Sequence, residues 1–99
     1  MMAFSMPANA SVLNDTEVHF DFNGDGKIDG FDWIQMSYFQ KQDLIYNYHN
    51  SVFKDITISE QSRDSEITSV IKMLNYYYNG PNQENRKVDV WYTYELIVD

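Results

Sequence analysis

The residues with the clearest chemical pattern lie together in residues 21–32. Side chains that carry an oxygen atom occupy positions 1, 3, 5, 9 and 12 of this stretch, and a glycine occupies position 6. Ca²⁺ prefers oxygen ligands, and this is the spacing that calcium-binding loops use. The sequence therefore predicts a Ca²⁺ site whose ligands are Asp21, Asn23, Asp25, Lys27, Asp29 and Asp32.

The first half of this calcium loop supplies three side-chain ligands. Alternate residues of a tightly wound loop point inward, so Asp21, Asn23 and Asp25 can converge on one point. Gly26 suits the sharp turn at position 6, which a residue with a Cβ atom would resist. Ile28, at position 8, is the apolar residue that we expect to pack the loop against a core.

The second half of the loop is expected to complete the coordination sphere. Lys27 would contribute its backbone carbonyl oxygen, Asp29 would bind directly or through water, and Asp32 would close the site. The alternative is an acidic turn that caps the next helix and binds no ion, because Asn-Gly and Asp-Gly are also turn dipeptides. Four carboxylates this close together repel each other, and a bound cation would relieve that repulsion.

The loop resembles the dockerin-type EF-hand loop of secreted bacterial proteins. Asp32 stands at position 12, where an ordinary EF-hand has Glu and a dockerin has Asp. Ile28 and Asp29 also fit the family, which favours an aliphatic residue followed by Asn or Asp. The resemblance covers residues 18–42, and it implies calcium binding followed by a helix that begins near Phe31.

The chain departs from the dockerin pattern in ways that concern the partner rather than the ion. Dockerins carry two such repeats, whereas residues 55–66, the second acidic stretch here, have no glycine at the turn. The two residues with which dockerins recognise cohesin, often Ser-Thr, are Gly30 and Phe31 here. Calcium binding is therefore expected and cohesin recognition is not. A similar run occurs in integrin-like propellers, but there a strand follows it.

Composition limits the classes of function. The chain has 99 residues, which indicates a single domain (residues 1–99) with one modest core, and residues 1–16 look irregular. The net charge of −8 argues against nonspecific binding to nucleic acid or anionic membranes, although it allows the protein to mimic nucleic acid. Without cysteine, disulfide and zinc-thiolate chemistry are excluded.

No apolar stretch approaches membrane-spanning length. Ala8-Asn9-Ala10 looks like a signal-peptidase site, but the short preceding stretch lacks a basic region. Either the match is accidental, which we favour, or the start codon is misassigned.

Helical periodicity predicts two or three helices. One covers residues 30–42, and Leu44 to Phe53 either continue it or form a second helix capped by Asp43. The clearest helix has apolar residues at i, i+3, i+4, i+7 and i+11 from Ile67 to Tyr78. Asn79-Gly80-Pro81 is expected to end it, with Gly80 as a left-handed cap and a polar loop following in residues 82–87.

Alternating patterns predict strands, so the expected fold class is α+β. Glu17–Phe20 reads as a short extended entry to the loop, residues 55–59 as a short strand, and residues 88–98 as a long C-terminal strand. The calcium loop and helices would pack on this small antiparallel sheet. The long strand would recruit another chain, or else pair with residues 12–20 or 52–59.

Other candidate sites are weaker. His19 and His49 have no zinc-type spacing, and the chain has neither a nucleophile elbow nor a glycine-rich phosphate loop, so no enzyme is expected. The run Tyr76-Tyr77-Tyr78 could form a stacking platform for sugars or bases. The alternative is that Tyr77 or Tyr78 lies in the core and Tyr76 lies at the surface or in an interface.

Three functions remain open at the level of sequence. The first is a non-enzymatic, calcium-stabilised protein-interaction module, with weak affinity typical of extracellular modules. The second is a subunit of a virion or extracellular fibre, joined through the C-terminal strand and the aromatic surface. The third is a small acidic inhibitor that mimics nucleic acid. A structural ion with weak affinity favours an extracellular or virion setting over the cytosol, with a protein partner or self-association.

Overall fold

The fold is mostly helical in the part of the chain that the computed structural model describes, residue 13 and residues 17–53 and 59–98. A 3₁₀-helix covers Glu17–Phe20, and a second covers Gln83–Lys87. The α-helices are α1 (Gly30–Trp33), α2 (Tyr38–Val52), α3 (Glu60–Tyr78) and α4 (Val90–Val98). Within these ranges the one strand-like pairing outside a helix is an isolated bridge between Asp29 and Asp89. The predicted α+β class, with its antiparallel sheet, is therefore wrong.

The C-terminal segment shows why the strand prediction failed. Residues 88–98 are apolar or aromatic at eight of eleven positions, including every even position, which fits one face of a strand. Val90, Tyr94 and Ile97, at i, i+4 and i+7, also fit one face of a helix. In α4 the buried residues are Val90, Thr93 and Tyr94, at i, i+3 and i+4. Packing of this face against the rest of the core overrides the strand preference of its β-branched and aromatic residues. Because this segment is a helix, it has no open strand edge with which to recruit another chain, and that prediction no longer applies.

The predicted helix over residues 30–42 is two helices with a break between them. Helix α1 ends after one turn, and α2 begins at a capping box in which Ser37 Oγ accepts from Gln40 N and Gln40 Oε1 accepts from Ser37 N. Helix α2 then runs past Asp43, so Asp43 is not a cap. The extended entry predicted at Glu17–Phe20 is a 3₁₀-helix. The strand predicted at residues 55–59 lies almost wholly outside the described residues.

Helix α3 confirms the strongest helical prediction. Its buried face contains Ile67, Val70, Ile71, Leu74 and Tyr78, which are the residues that the periodicity selects. Ser59 caps its N-terminus, because Ser59 Oγ accepts from the backbone nitrogen of Ser62 at 3.2 Å.

The end of α3 lies where the sequence predicts, but its cap differs. The helix ends at Tyr78, and Asn79 is the C-cap residue. Gly80 is not left-handed, in contrast to Gly24 and Gly26, so the predicted glycine cap is wrong. Most of the predicted polar loop over residues 82–87 is the second 3₁₀-helix, which Asn82 caps.

Helix α3 is central, since both α2 and α4 pack against it. An aromatic cluster of Tyr48, Trp91 and Tyr94 joins α2 to α4, with ring centroids 4.8 to 5.6 Å apart. Trp33, which directly follows Asp32, is fully buried, and its indole nitrogen donates to Asn75 Oδ1 at 2.9 Å. These contacts anchor α1, and with it the end of the calcium loop, to the core. Of the helices described, none has the length and hydrophobicity needed to cross a membrane.

Candidate metal centre

The calcium loop is wound tightly around the side chain of Asp21. Asp21 Oδ2 accepts from the backbone nitrogen of Gly26 at 2.8 Å, and Asp21 Oδ1 accepts from that of Asp25 at 3.3 Å. Gly24 and Gly26 have φ values of 70° and 86°, in the left-handed region where a Cβ atom is strained. The two glycines therefore allow the chain to turn back so that residues from both ends of the loop meet.

Asp32 connects the two ends of the loop. Its side chain is fully buried, with Oδ1 accepting from the backbone nitrogen of Phe22 at 2.9 Å and Oδ2 accepting from that of Asp29 at 3.1 Å. Burial raises the pKa of Asp32 above its ordinary value, and these backbone hydrogen bonds oppose the increase. The charges of Asp29 and Asp21 raise the pKa further. An anion in this position is costly unless a cation lies beside it.

Three carboxylates meet in the loop. Oxygen atoms of Asp21, Asp25 and Asp32 all lie within 4.8 Å of one another. Calcium–oxygen distances are about 2.3–2.6 Å, so two ligands on opposite sides of one ion lie about 5 Å apart. The three carboxylates are therefore close enough to bind a single ion. Oxygen-only donors suit a hard cation such as Ca²⁺.

The other three predicted ligands have different local roles in this structure. Asn23 Oδ1 faces the backbone nitrogen of Asp25 at 3.4 Å, and the backbone nitrogen of Lys27 donates to Asp25 Oδ1 at 3.2 Å. Asp29 is buried outside the three-carboxylate cluster, and it caps α1 by accepting from the backbone nitrogens of Phe31 and Asp32. Ligation by Asn23, by the Lys27 carbonyl and by Asp29, directly or through water, stays a prediction.

The segment just before α4, residues 87–90, pairs with the calcium loop, and the sequence analysis did not predict this pairing. The backbone nitrogen of Val90 donates to the carbonyl oxygen of Ile28 at 2.8 Å, beside the bridge between Asp29 and Asp89. A Cβ atom on Gly30 would lie 2.3 Å from the Tyr78 ring and 2.5 Å from the Cα atom of Arg86, so only glycine fits there.

The signal for this pairing is a short repeat. Lys27-Ile28-Asp29 in the calcium loop matches Lys87-Val88-Asp89, and in each case the aspartate lies just before a helix. Asp89 Oδ1 accepts from the backbone nitrogen of Tyr92 at 3.1 Å, much as Asp29 caps α1. Burial raises the pKa of Asp89 above its ordinary value.

The second 3₁₀-helix is held to the end of α3 by side-chain donors. Arg86 Nε donates to the carbonyl oxygen of Tyr78 at 3.0 Å, and Asn85 Nδ2 donates to that of Tyr77 at 3.2 Å. These bonds satisfy carbonyl groups that the end of α3 leaves unpaired. Among the described residues, the only cluster of three or more acidic, histidine or cysteine side chains that could hold a metal ion is the one in the calcium loop.

Neither histidine adds a second metal site among the described residues. His49 is buried, and its Nε2 lies 3.1 Å from Glu66 Oε2, which joins α2 to α3. His19 is exposed in the first 3₁₀-helix.

No protein-family model, curated protein or solved structure matches this chain. Its function therefore has to be inferred from the geometry of its sites.

Proposed function

We propose that the protein is a non-enzymatic calcium-binding interaction module, in which the ion stabilises the fold. The observation that carries this proposal is the convergence of the Asp21, Asp25 and Asp32 carboxylates to within 4.8 Å in a loop with calcium-ligand spacing. The dockerin-type resemblance of the loop supports the same ion. In this proposal Ca²⁺ replaces mutual repulsion among the carboxylates with attraction to one cation.

Binding of the ion would couple to folding through Asp32. Its carboxylate already accepts from both Phe22 and Asp29, so an ion bound to it draws the start of the loop toward α1. Helix α1 is in turn fixed to the core by the buried Trp33. The binding free energy of the ion then adds to the stability of the folded state. With aspartate rather than glutamate at position 12, we expect a Kd on the order of 10⁻⁴–10⁻³ M, typical of extracellular modules.

Exposed apolar side chains support the interaction part of the proposal. Phe39 and Tyr76 are 76% and 87% exposed, and Tyr92 and Leu96 of α4 are also exposed. Aromatic side chains are enriched at protein interfaces, where they bury a large area. These residues are candidates for contact with a protein partner or a second copy of the chain.

The test is a calcium titration of chelator-stripped protein, followed by tryptophan fluorescence and thermal melting. Buried Trp33 directly follows Asp32, so closure of the site should alter its emission. Saturation with Ca²⁺ at millimolar concentration, a rise in Tm and a weaker response to Mg²⁺ are expected. Asp25→Ala should remove the response. Asp43→Ala, which deletes the same charge from the exposed face of α2, should retain it.

Two results would contradict the proposal. One is the absence of a saturable response at several millimolar Ca²⁺, which would leave the loop as an acidic turn that caps α1. The other is an equal loss of response in Asp25→Ala and Asp43→Ala, which would reduce the effect to general screening of the net charge of −8.

A further inference from the structure

A groove lies at the C-terminal end of α3, formed by its last turn and the loop that follows. Its volume is about 390 Å³, within the usual range for small-molecule sites, and Tyr76, Tyr77 and three asparagines contribute to its lining. No residue that lines this groove carries a charge, although 22% of the chain is charged. An uncharged lining in so acidic a protein favours a neutral ligand.

Two tyrosine rings form the apolar part of the groove. Tyr77 is half-buried and held edge-on against the buried ring of Tyr78, with 5.0 Å between the ring centroids. Tyr76 is 87% exposed, so the fold makes almost no use of its ring. The groove therefore offers one fixed ring and one exposed ring, and either ring can stack on a flat or apolar face of a ligand.

Two of the asparagine amides have fixed orientations. Asn82 Oδ1 accepts from the backbone nitrogen of Glu84 at 3.1 Å, which leaves its Nδ2 group to donate elsewhere. Asn85 Nδ2 donates to the carbonyl oxygen of Tyr77 at 3.2 Å, which leaves its Oδ1 atom to accept. Because these amides are already ordered, a ligand would lose little free energy in positioning them.

The remaining donor and acceptor identify the chemistry of the ligand. Hydroxyl groups both donate and accept, so a polyhydroxylated molecule can satisfy Asn82 and Asn85 together. A proline-rich peptide also suits aromatic grooves, but proline has no backbone N–H and would leave the Asn85 oxygen without a donor. We infer that this groove binds a neutral carbohydrate, with Tyr76 stacked on the C–H face of a sugar ring and Asn82 and Asn85 bonded to its hydroxyls.

The test is an NMR titration of the full chain, in calcium, with neutral hexasaccharides of glucose, xylose, mannose and N-acetylglucosamine. At least one should cause saturable shifts in the backbone amides of the groove. Tyr76→Ala should weaken binding on the order of tenfold, whereas Tyr76→Phe keeps the ring and should retain it. Asn82→Asp keeps the oxygen that caps the 3₁₀-helix but removes the amide donor, so it should weaken binding while the chain stays folded.

Phe39→Ala is the matched control, because it removes another exposed aromatic ring outside the groove and should leave sugar binding unchanged. The inference is overturned if none of the four sugars causes saturable shifts in the groove. It is also overturned if Tyr76→Ala binds as well as the parent chain, or if an uncharged proline-rich peptide saturates the same residues and the sugars do not.

Discussion

Asp32 combines two roles that oppose each other until a cation is present. As an acceptor for the backbone nitrogens of Phe22 and Asp29 it holds the loop closed. As a buried anion near Asp21 and Asp29 it destabilises the closed loop. If Ca²⁺ binds as proposed, a loop built in this way would gain more from the ion than an exposed acidic cluster would, since the ion would offset a buried charge.

The pH dependence of stability follows from Asp32 together with a second partly buried carboxylate, Asp89. Burial raises the pKa of Asp32 and of Asp89, so without calcium their contribution to stability is fully present below the unfolded value of about 4. It is lost as the pH rises through their folded pKa values. Ca²⁺ needs the deprotonated carboxylate, so the increase in Tm on adding calcium should grow over the same pH range. Thermal melts in chelator and in saturating calcium, from about pH 4 to about pH 7, would measure both trends.

Asp89→Asn separates the two residues in this experiment. It keeps an oxygen to cap α4 but removes a charge that is not a predicted ligand. The variant should therefore lose less stability as the pH rises in chelator, while its calcium-dependent increase in Tm keeps its pH dependence. An increase in Tm that is the same at all these pH values would show that Asp32 is not a ligand.

The left-handed backbone at Gly26 should make its substitution costly. Its φ of 86° is strained for residues with a Cβ atom, yet no atom lies within 4 Å of the position that a Cβ would occupy. Gly26→Ala should therefore cost about 1 kcal/mol through backbone strain alone. Asn tolerates this region better than Ala, so Gly26→Asn should cost less. Urea unfolding of both variants would measure the difference, and equal costs would contradict the argument.

Whether a helix or strand could be predicted from the sequence depended on how many secondary structures its pattern of apolar residues allowed. Helix α3 was predictable because its apolar residues match a period of 3.6 and no other, and Asn79-Gly80-Pro81 marks its end. The convergence of Asp21, Asp25 and Asp32 was predictable because loop spacing fixes it locally. Helix α4 was not predictable, because its apolar residues fit the period of two of a strand as well as one face of a helix, and only tertiary packing decides between the two.

The pairing of the calcium loop with the segment before α4 required the tertiary structure. The match between Lys27-Ile28-Asp29 and Lys87-Val88-Asp89 is too short to be significant in the sequence alone. The hydrogen bond from Val90 to Ile28 shows that the two segments pair in the fold. The break between α1 and α2 was missed for a similar reason. Ser37 and Gln40 form a capping box, but the apolar period continues across them, and periodicity alone does not show the break.

Gly30 tests the close packing of α1 against the end of α3 and the second 3₁₀-helix. A Cβ atom there would overlap the Tyr78 ring and the backbone of Arg86, so Gly30→Ala should push α1 away from the second 3₁₀-helix. We expect a loss of about 2 kcal/mol in the free energy of unfolding, together with weaker calcium binding. Gly80→Ala is the control, because its Cβ atom would come no closer than 3.3 Å to another atom and should cost less. Urea unfolding with equal losses for both variants would contradict this role for the packing at Gly30.

Across the whole fold, aromatic side chains make up a large part of the core. Tyr48, Tyr78 and Tyr94 are buried together with Trp33, and the three tyrosines come from α2, α3 and α4. Their hydroxyl groups have unequal surroundings. Tyr78 Oη donates to the carbonyl oxygen of Val88 at 2.9 Å and lies 3.0 Å from Thr93 Oγ1. Tyr94 Oη has no hydrogen-bond partner within the described part of the chain.

These tyrosines predict that the protein loses stability in strongly alkaline solution, above about pH 10. Burial raises the pKa of all three, that of Tyr94 to about 12, whereas a tyrosine in the unfolded chain titrates near 10. Their contribution to stability is therefore fully present below about pH 10 and is lost as the pH rises through the folded values. Urea unfolding at a series of alkaline pH values, with tyrosinate absorbance followed in parallel, should show ionisation of these groups together with loss of the helical signal.

Tyr94→Phe and Tyr78→Phe form a matched pair for this argument. Removing the unpartnered hydroxyl of Tyr94 should leave stability at neutral pH unchanged or slightly higher, and it should shift alkaline unfolding to higher pH. Removing the Tyr78 hydroxyl should cost about 1–2 kcal/mol, because the Val88 carbonyl and Thr93 lose a partner. If both variants unfold at the same alkaline pH as the parent chain, the transition belongs to repulsion among the net negative charges, and addition of monovalent salt should then oppose it.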